Sequence, residues 1–171
     1  MKSKAYVTGA DRGLGLGLVQ TLLEQDYKVY AGSFMPEWIE LKEIKNRYED
    51  NLVIIPLDVS DDESVRKAAE IIIGDTDCLN VIINNAGSAH DRSGTLFDEQ
   101  YLDDIRKLFE INTFGPLRVT QSVLHLLLKG SQKTVMNISS LAGSVELLTR
   151  KNQIGYIMSK AALNMLSKSM H

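Results

Sequence analysis

Short apolar runs alternate along this chain with longer segments of helical period. Residues 5–8, 28–32, 51–57, 79–84 and 134–138 are compact runs rich in Val, Ile and Leu with Gly, Asn, Asp or Ser beside them, the pattern of buried strands. Segments 14–25, 37–48, 61–73 and 98–129 repeat apolar residues every three to four positions, and a last helix is expected over 153–170. Ser60 with Glu63 three residues on has the spacing of a capping box and sets the expected start of the third helix. Strand and helix in alternation predict an α/β fold with a five-stranded parallel sheet, and right-handed crossovers distribute the helices over both faces. The last helix follows a strand and leads to none, so the 134–138 strand is expected to keep an open edge. Either a longer protein is truncated at its C-terminus, or something else covers that edge.

Composition narrows the class. With 171 residues, 44% hydrophobic, 24% charged and three prolines, the chain reads as a single globular domain over 1–171, and disorder is excluded as its main state. Nineteen basic and 22 acidic residues give a net charge of −3 without a basic block, so nucleic acid is not an expected partner. Cys78 is the only cysteine, which forbids an internal disulfide and any zinc site built on cysteine pairs. His90 and His125 stand in no metal-ligand spacing, so no metal is expected. Lys2 and Lys4 are followed by only three apolar residues before Thr8-Gly9, and no apolar run approaches the roughly 18 residues of a membrane helix. The expectation is a cytoplasmic protein without a membrane partner.

The first strand runs straight into Thr8-Gly9-Ala10-Asp11-Arg12-Gly13-Leu14-Gly15 and then into a helix. Free backbone N–H groups and the positive end of the helix dipole converge at such a turn, and glycines let a pyrophosphate approach the backbone. The same glycines also suit a tight turn with close helix–sheet packing, and only their place between strand and helix favours the phosphate. No Gly-Lys-Ser/Thr ending follows, which argues against a P-loop nucleotidase.

Four later motifs stand in matching order. They are Asp58-Val59 after the third strand, Asn84-Asn85-Ala86-Gly87 after the fourth, Asn112 in the long helix, and Ser140 with Tyr156-x-x-x-Lys160. With the glycine turn they make the chain resemble the short-chain dehydrogenase/reductase family over its whole length, carbonyl reductases in particular, although members of the family usually run on further. The resemblance implies a Rossmann-type doubly wound sheet in the order 3-2-1-4-5 and a nicotinamide dinucleotide cofactor. It implies cofactor contacts from Gly9, Asp11, Arg12, Gly13, Leu14, Gly15, Ser33, Asp58, Val59, Asn85, Ala86, Gly87, Tyr156 and Lys160. It further implies catalysis by Asn112, Ser140, Tyr156 and Lys160: Tyr156 as proton donor, Ser140 orienting the substrate oxygen, Lys160 binding the nicotinamide ribose, and Asn112 holding a water that passes protons to Lys160.

Elementary chemistry agrees with these roles without requiring them. Tyr156 and Lys160, four apart on a helix, share a face, and an ammonium one turn away lowers the pKa of a phenol that otherwise ionises at about 10. The pair alone is unspecific and also reads as a solvated lysine beside a half-buried tyrosine. Ser139 is read as structural, and either strand-end serine also suits a local turn. Asn112 lies on the apolar stripe of Ile105 and Phe109 just before Gly115-Pro116, where it also reads as repair of a proline kink. The interval from Ser140 to Tyr156 is longer than usual for the family, and the extra residues are assigned to the polar loop 146–153.

NAD-specific Rossmann sites usually carry an acid near the end of the second strand, but here that strand ends Ala31-Gly32-Ser33-Phe34. With Arg12 in the glycine turn, NADP(H) is expected over NAD(H), although Arg12 also reads as a surface arginine. The resulting expectation is interconversion of a small-molecule carbonyl compound and an alcohol by hydride transfer. The alternative is a nucleotide-binding sensor, inactive fragment or assembly subunit without turnover. Leu117, Leu124, Leu128, Met158, Ala161 and Met165 supply more apolar residues than one sheet face needs, and predict a homodimer or homotetramer. The other reading sends them all toward their own sheet, and Met158, Met165 and Met170 into core or helix contacts.

Overall fold

The computed structural model describes residues 2–90, 92, 94–99 and 101–170. In chain order the elements are β1 (Lys4–Thr8), α1 (Gly13–Glu24), β2 (Lys28–Ser33), α2 (Ile39–Arg47), β3 (Leu52–Pro56), α3 (Asp62–Asp75), β4 (Val81–Asn84), α4 (Leu102–Phe109), α5 (Gly115–Leu127), β5 (Thr134–Asn137) and α6 (Ile154–Ser169). The sheet is parallel throughout, in the order β3-β2-β1-β4-β5. This is the α/β Rossmann-type arrangement expected from the sequence.

Period-two alternation divides the core between the two faces. Tyr6, Tyr30, Ile55 and Ile82 point to one side, where Val65 and Ile72 of α3 and Val119 and Val123 of α5 cover them. Ala5, Val7, Val29, Ala31, Val81 and Ile83 point to the other, beneath Val19 and Leu23 of α1 and Leu41 and Ile44 of α2. Strand registers such as Tyr6↔Tyr30 and Tyr6↔Ile82 align the C-terminal ends of β1, β2 and β4, so their following loops open on one crevice.

Three local expectations are corrected. Asp61, not Ser60, caps α3: its carboxylate accepts from Ser64 N at 2.9 Å. The Ser60 hydroxyl donates instead to Asp58 Oδ1 at 2.6 Å, and Glu63 pairs with Arg66. The helix expected over 98–129, whose Gln100 lies outside the described residues, starts at Leu102 and widens into a π turn over Glu110–Phe114 before α5. Thr95 and Asp98 close a local turn that takes up the expected first residue, Asp98, and Pro116 lacks the N–H that an α-helix would aim at the Asn112 carbonyl. Of the two readings of the apolar residues near α5 and α6, the one that turns them all to their own sheet is the one corrected: Leu124, Leu128, Met158, Met165 and Met170 are exposed, with Met165 at 71%. β5 pairs with β4, and no other described strand pairs with it. No described helix is long and apolar enough to cross a membrane.

Candidate active site

The turn after β1 is shaped by close approach. Gly9 and Gly13 adopt φ of 63° and 56°, in the left-handed region. A Cβ on Gly15 would stand 2.0 Å from the Gly9 carbonyl oxygen, so α1 presses against the turn as only glycine permits. Asn85 clips the ends of β1 and β4 together: its Nδ2 donates to Thr8 O at 3.0 Å and Gly9 O at 2.9 Å. In return Thr8 Oγ1 accepts from the backbone N–H of Asn85 and of Ala86. The N-terminus of α1 carries no side-chain cap and no acid in its first turn, which keeps its N–H groups available to an anion.

A cleft of about 450 Å³ opens beside this turn. Of the residues assigned to the cofactor from the sequence, Gly9, Asp11, Arg12, Leu14, Gly15, Asp58, Val59, Asn85, Ala86 and Gly87 line it, whereas Gly13, Ser33, Tyr156 and Lys160 do not. Phe34, Leu57, Ser60, Ser88 and Ile111 also line it and were not anticipated. The placement of Ser33 is corrected. Its side chain is sealed in the interior, and Phe34, 66% exposed, forms the wall at the end of β2. Position next to a strand end was the available signal for Phe34, but pairing of Ser33 with Pro56 decides which of the two faces outward. The Asp58 carboxylate accepts from both N and Oγ of Ser60, which fixes the loop that carries Val59.

The four catalytic candidates gather around α6 and the π turn. Gly87 joins two of them to the cleft, for a Cβ there would lie 3.3 Å from Asn112 Oδ1 and 3.6 Å from Lys160 Nζ. Lys160 is buried, its Nζ donates to Ile138 O at 2.8 Å, and it stands 5.9 Å from the centre of the Tyr156 ring. Burial lowers its pKa, because the charged form loses hydration. Ser140 Oγ accepts from Ala142 N at 3.2 Å, a bond that does not use its own proton. Ser139 is held on α6 by Asn164, as its structural reading expects.

Asn112 is fully buried and does not repair the proline kink with its side chain. Its Oδ1 accepts from Ser88 N at 2.8 Å, and its Nδ2 donates to Ser88 O and to Ser159 Oγ. Ser159, unremarked in the sequence, passes this contact on by donating to Tyr156 O at 2.8 Å. The β4 loop, the π turn and α6 are thus tied through two side chains. His90 and His125 are exposed, and no cluster of His, Cys, Asp or Glu suited to a metal occurs among the described residues.

The chain is similar in sequence and fold to known proteins. Residues 3–171 match the family described as short chain dehydrogenase. An uncharacterized oxidoreductase of Schizosaccharomyces pombe is 32% identical over 167 residues, covering 96% of this chain and 65% of the relative. A 3-oxoacyl-[acyl-carrier-protein] reductase of Staphylococcus aureus is 30% identical over 172 residues, covering 99% of this chain and 67% of the relative. The crystal structure of NADPH-bound carbonyl reductase from chicken fatty liver superposes with a TM-score of 0.86 at 35% identity, covering 99% of this chain and 73% of that one. The chain therefore spans about two thirds of the length of the curated relatives it matches.

Proposed function

The chain belongs to the short-chain dehydrogenase family, and from that premise we propose that it binds NADP(H) and serves the interconversion of a carbonyl compound and an alcohol. The single observation that carries the reading is the approach of Asn112 and Lys160, the latter beside the Tyr156 ring, to the glycine-turn cleft at Gly87. The cofactor fits what is present: α1 offers an uncapped N-terminus, Gly15 leaves no side chain in front of Gly9, and the cleft is bounded by Asp58 and Val59 at one wall and Asn85 to Gly87 at another. When bound, the nicotinamide supplies or accepts the hydride.

The chain's own residues divide the remaining work. Ser140, whose oxygen already accepts from Ala142 N, directs its proton to the substrate oxygen and holds it. Tyr156 donates the proton that completes the alcohol in the reductive direction. The buried Lys160 ammonium stands one helical turn from the phenol and stabilises the phenolate left behind. Asn112 and Ser159 keep α6, which carries Tyr156, in place against the Ser88 loop. The absence of an acid at Ser33 and Phe34, with Arg12 on the cleft wall, favours the phosphorylated dinucleotide, and the chicken carbonyl reductase was solved with NADPH.

A second reading, nucleotide binding without turnover, draws on the exposure of Leu141, Val145 and Leu147 between β5 and α6, with Val145 at 92%. Hydride transfer requires water to be excluded, and among the described residues nothing covers these side chains. The test is NADPH oxidation by the chain with a panel of ketones and aldehydes, beside NADPH binding. Turnover that falls roughly 10²- to 10⁴-fold in Tyr156→Phe with NADPH affinity retained supports the enzyme. Binding without turnover on any member of the panel selects the second reading, and no binding refutes both.

A further inference from the structure

Trp38, the only tryptophan of the chain, has no part in the chemistry above. It stands directly before α2 with its ring half-buried, and the Arg12 guanidinium lies over that ring, 5.3 Å from its centre. Met35 completes the seat, its sulfur accepting from Arg12 Nη1 at 3.2 Å. Asp11 approaches the same nitrogen only to 3.6 Å. The guanidinium is therefore held by its face and by Nη1, and among the described residues no acceptor takes Nε or Nη2. Arg66, Arg92, Arg106 and Arg118, by contrast, each donate to at least one carboxylate.

The free edge of Nε and Nη2 has the fork geometry that grips a phosphate in bidentate fashion. It belongs to a residue on the cleft wall, beside Phe34, and the first acid beyond β2, Glu37, is occupied by Lys42. The Asp11 carboxylate pairs with Arg12 on the Nη1 side only, the aromatic face steadies the cation without occupying Nε or Nη2, and a guanidinium already stacked loses less rotamer freedom when a ligand binds. We propose that Trp38 is a positioning residue that presents the open edge of Arg12 to a ribose 2′-phosphate, and so determines the preference for a phosphorylated dinucleotide. The inference rests on the NADP(H) reading above and adds to it the residue that sets the selectivity.

Adenosine 2′,5′-bisphosphate and adenosine 5′-phosphate differ only in the 2′-phosphate, and the ratio of their affinities, measured by titration calorimetry, isolates that group. The unaltered chain prefers the bisphosphate. Trp38→Ala lowers the ratio about two- to fivefold, the effect of losing one half-exposed cation–π contact, and leaves the 5′-phosphate affinity in place. Trp38→Phe restores most of the ratio. In an Arg12→Ala background, Trp38→Ala changes it no further. A ratio unmoved by Trp38→Ala, an equal loss for both probes, or the same drop without Arg12 overturns the proposal. In the unaltered chain the bisphosphate shifts the emission of this single tryptophan more than the 5′-phosphate does; equal shifts overturn the proposal with no substitution made. A parent chain without preference refutes the NADP(H) reading itself, before any variant is compared.

Discussion

Two glycines on one helix, two residues apart, are expected to respond to alanine with opposite signs. At Gly15 the new Cβ would lie 2.0 Å from Gly9 O, 2.8 Å from Gly9 C and 2.5 Å from Asn85 Nδ2. Non-bonded atoms settle at about 3.5 Å, so roughly 1.5 Å of overlap must be relieved. The obstacle is backbone and an amide already bonded to Thr8 O and Gly9 O, and neither yields without opening the turn. Overpacking of this kind costs about 1–3 kcal/mol, and losing the two Asn85 bonds adds about 1 kcal/mol each, for a total of roughly 3–5 kcal/mol. In a chain of this size that lowers the melting temperature by roughly 6–20 °C. At Gly17 a Cβ meets nothing within 4 Å, and removing a helix-interior glycine is expected to raise stability by about 0.5–1 kcal/mol. Thermal unfolding with and without NADPH reads both effects: Gly15→Ala melts early and loses the nucleotide-dependent shift, whereas Gly17→Ala melts late and keeps it. If Gly15→Ala melted within about 2 °C of the parent, or if both variants lost stability alike, the close-approach account of this turn would be wrong.

Two further outcomes concern parts of the molecule away from the turn. Asp75 is held below the usual carboxylate range first by its bond to Lys28 and then by the Tyr30 hydroxyl, so it contributes stability above the unfolded value of about 4 and loses it as pH falls through the lower folded value. Urea unfolding at about pH 6 and about pH 3 should therefore show the parent's advantage over Asp75→Asn shrinking in acid, and an advantage that is constant or grows counts against the assignment. Sedimentation at micromolar concentration is expected to show a dimer or larger species, shifted toward monomer by Leu128→Glu with Met165→Lys, because those side chains are exposed at the C-terminal end of α5 and on α6; a parent that sediments as a monomer refutes the expected assembly.

Much of the architecture was legible because it is written in short-range pattern. Alternation in Ala5-Tyr6-Val7 and Val81-Ile82-Ile83 requires a strand with two buried faces, and a glycine-rich turn between strand and helix locates the cleft at the ends of β1 and β4. The helical spacing of Leu124, Leu128 and Met165 was equally visible, but spacing alone does not distinguish a stripe that meets the sheet from one that meets solvent, and these residues meet solvent. The start of α3 shows a similar limit: Ser60 and Asp61 are both good caps, and the Asp58 carboxylate, by engaging Ser60, leaves the role to Asp61.

Strand type, order of elements, the glycine turn and the four-residue interval of Tyr156 and Lys160 depend on neighbours within a few positions, and on these the amino-acid order is sufficient. Residues brought together from distant parts of the chain are another matter. Pairing of β2 with β3 turns Ser33 inward and Phe34 to the cleft. The loop between β2 and α2 carries Trp38 under Arg12. Packing of the π turn against α6 gives Asn112 its partners on Ser88 and Ser159 instead of the kink beside it. Each of these is a choice between conformers that are locally about equal, and it falls to the long-range contact that buries a polar group with its bonds satisfied or seats a cation on an aromatic face.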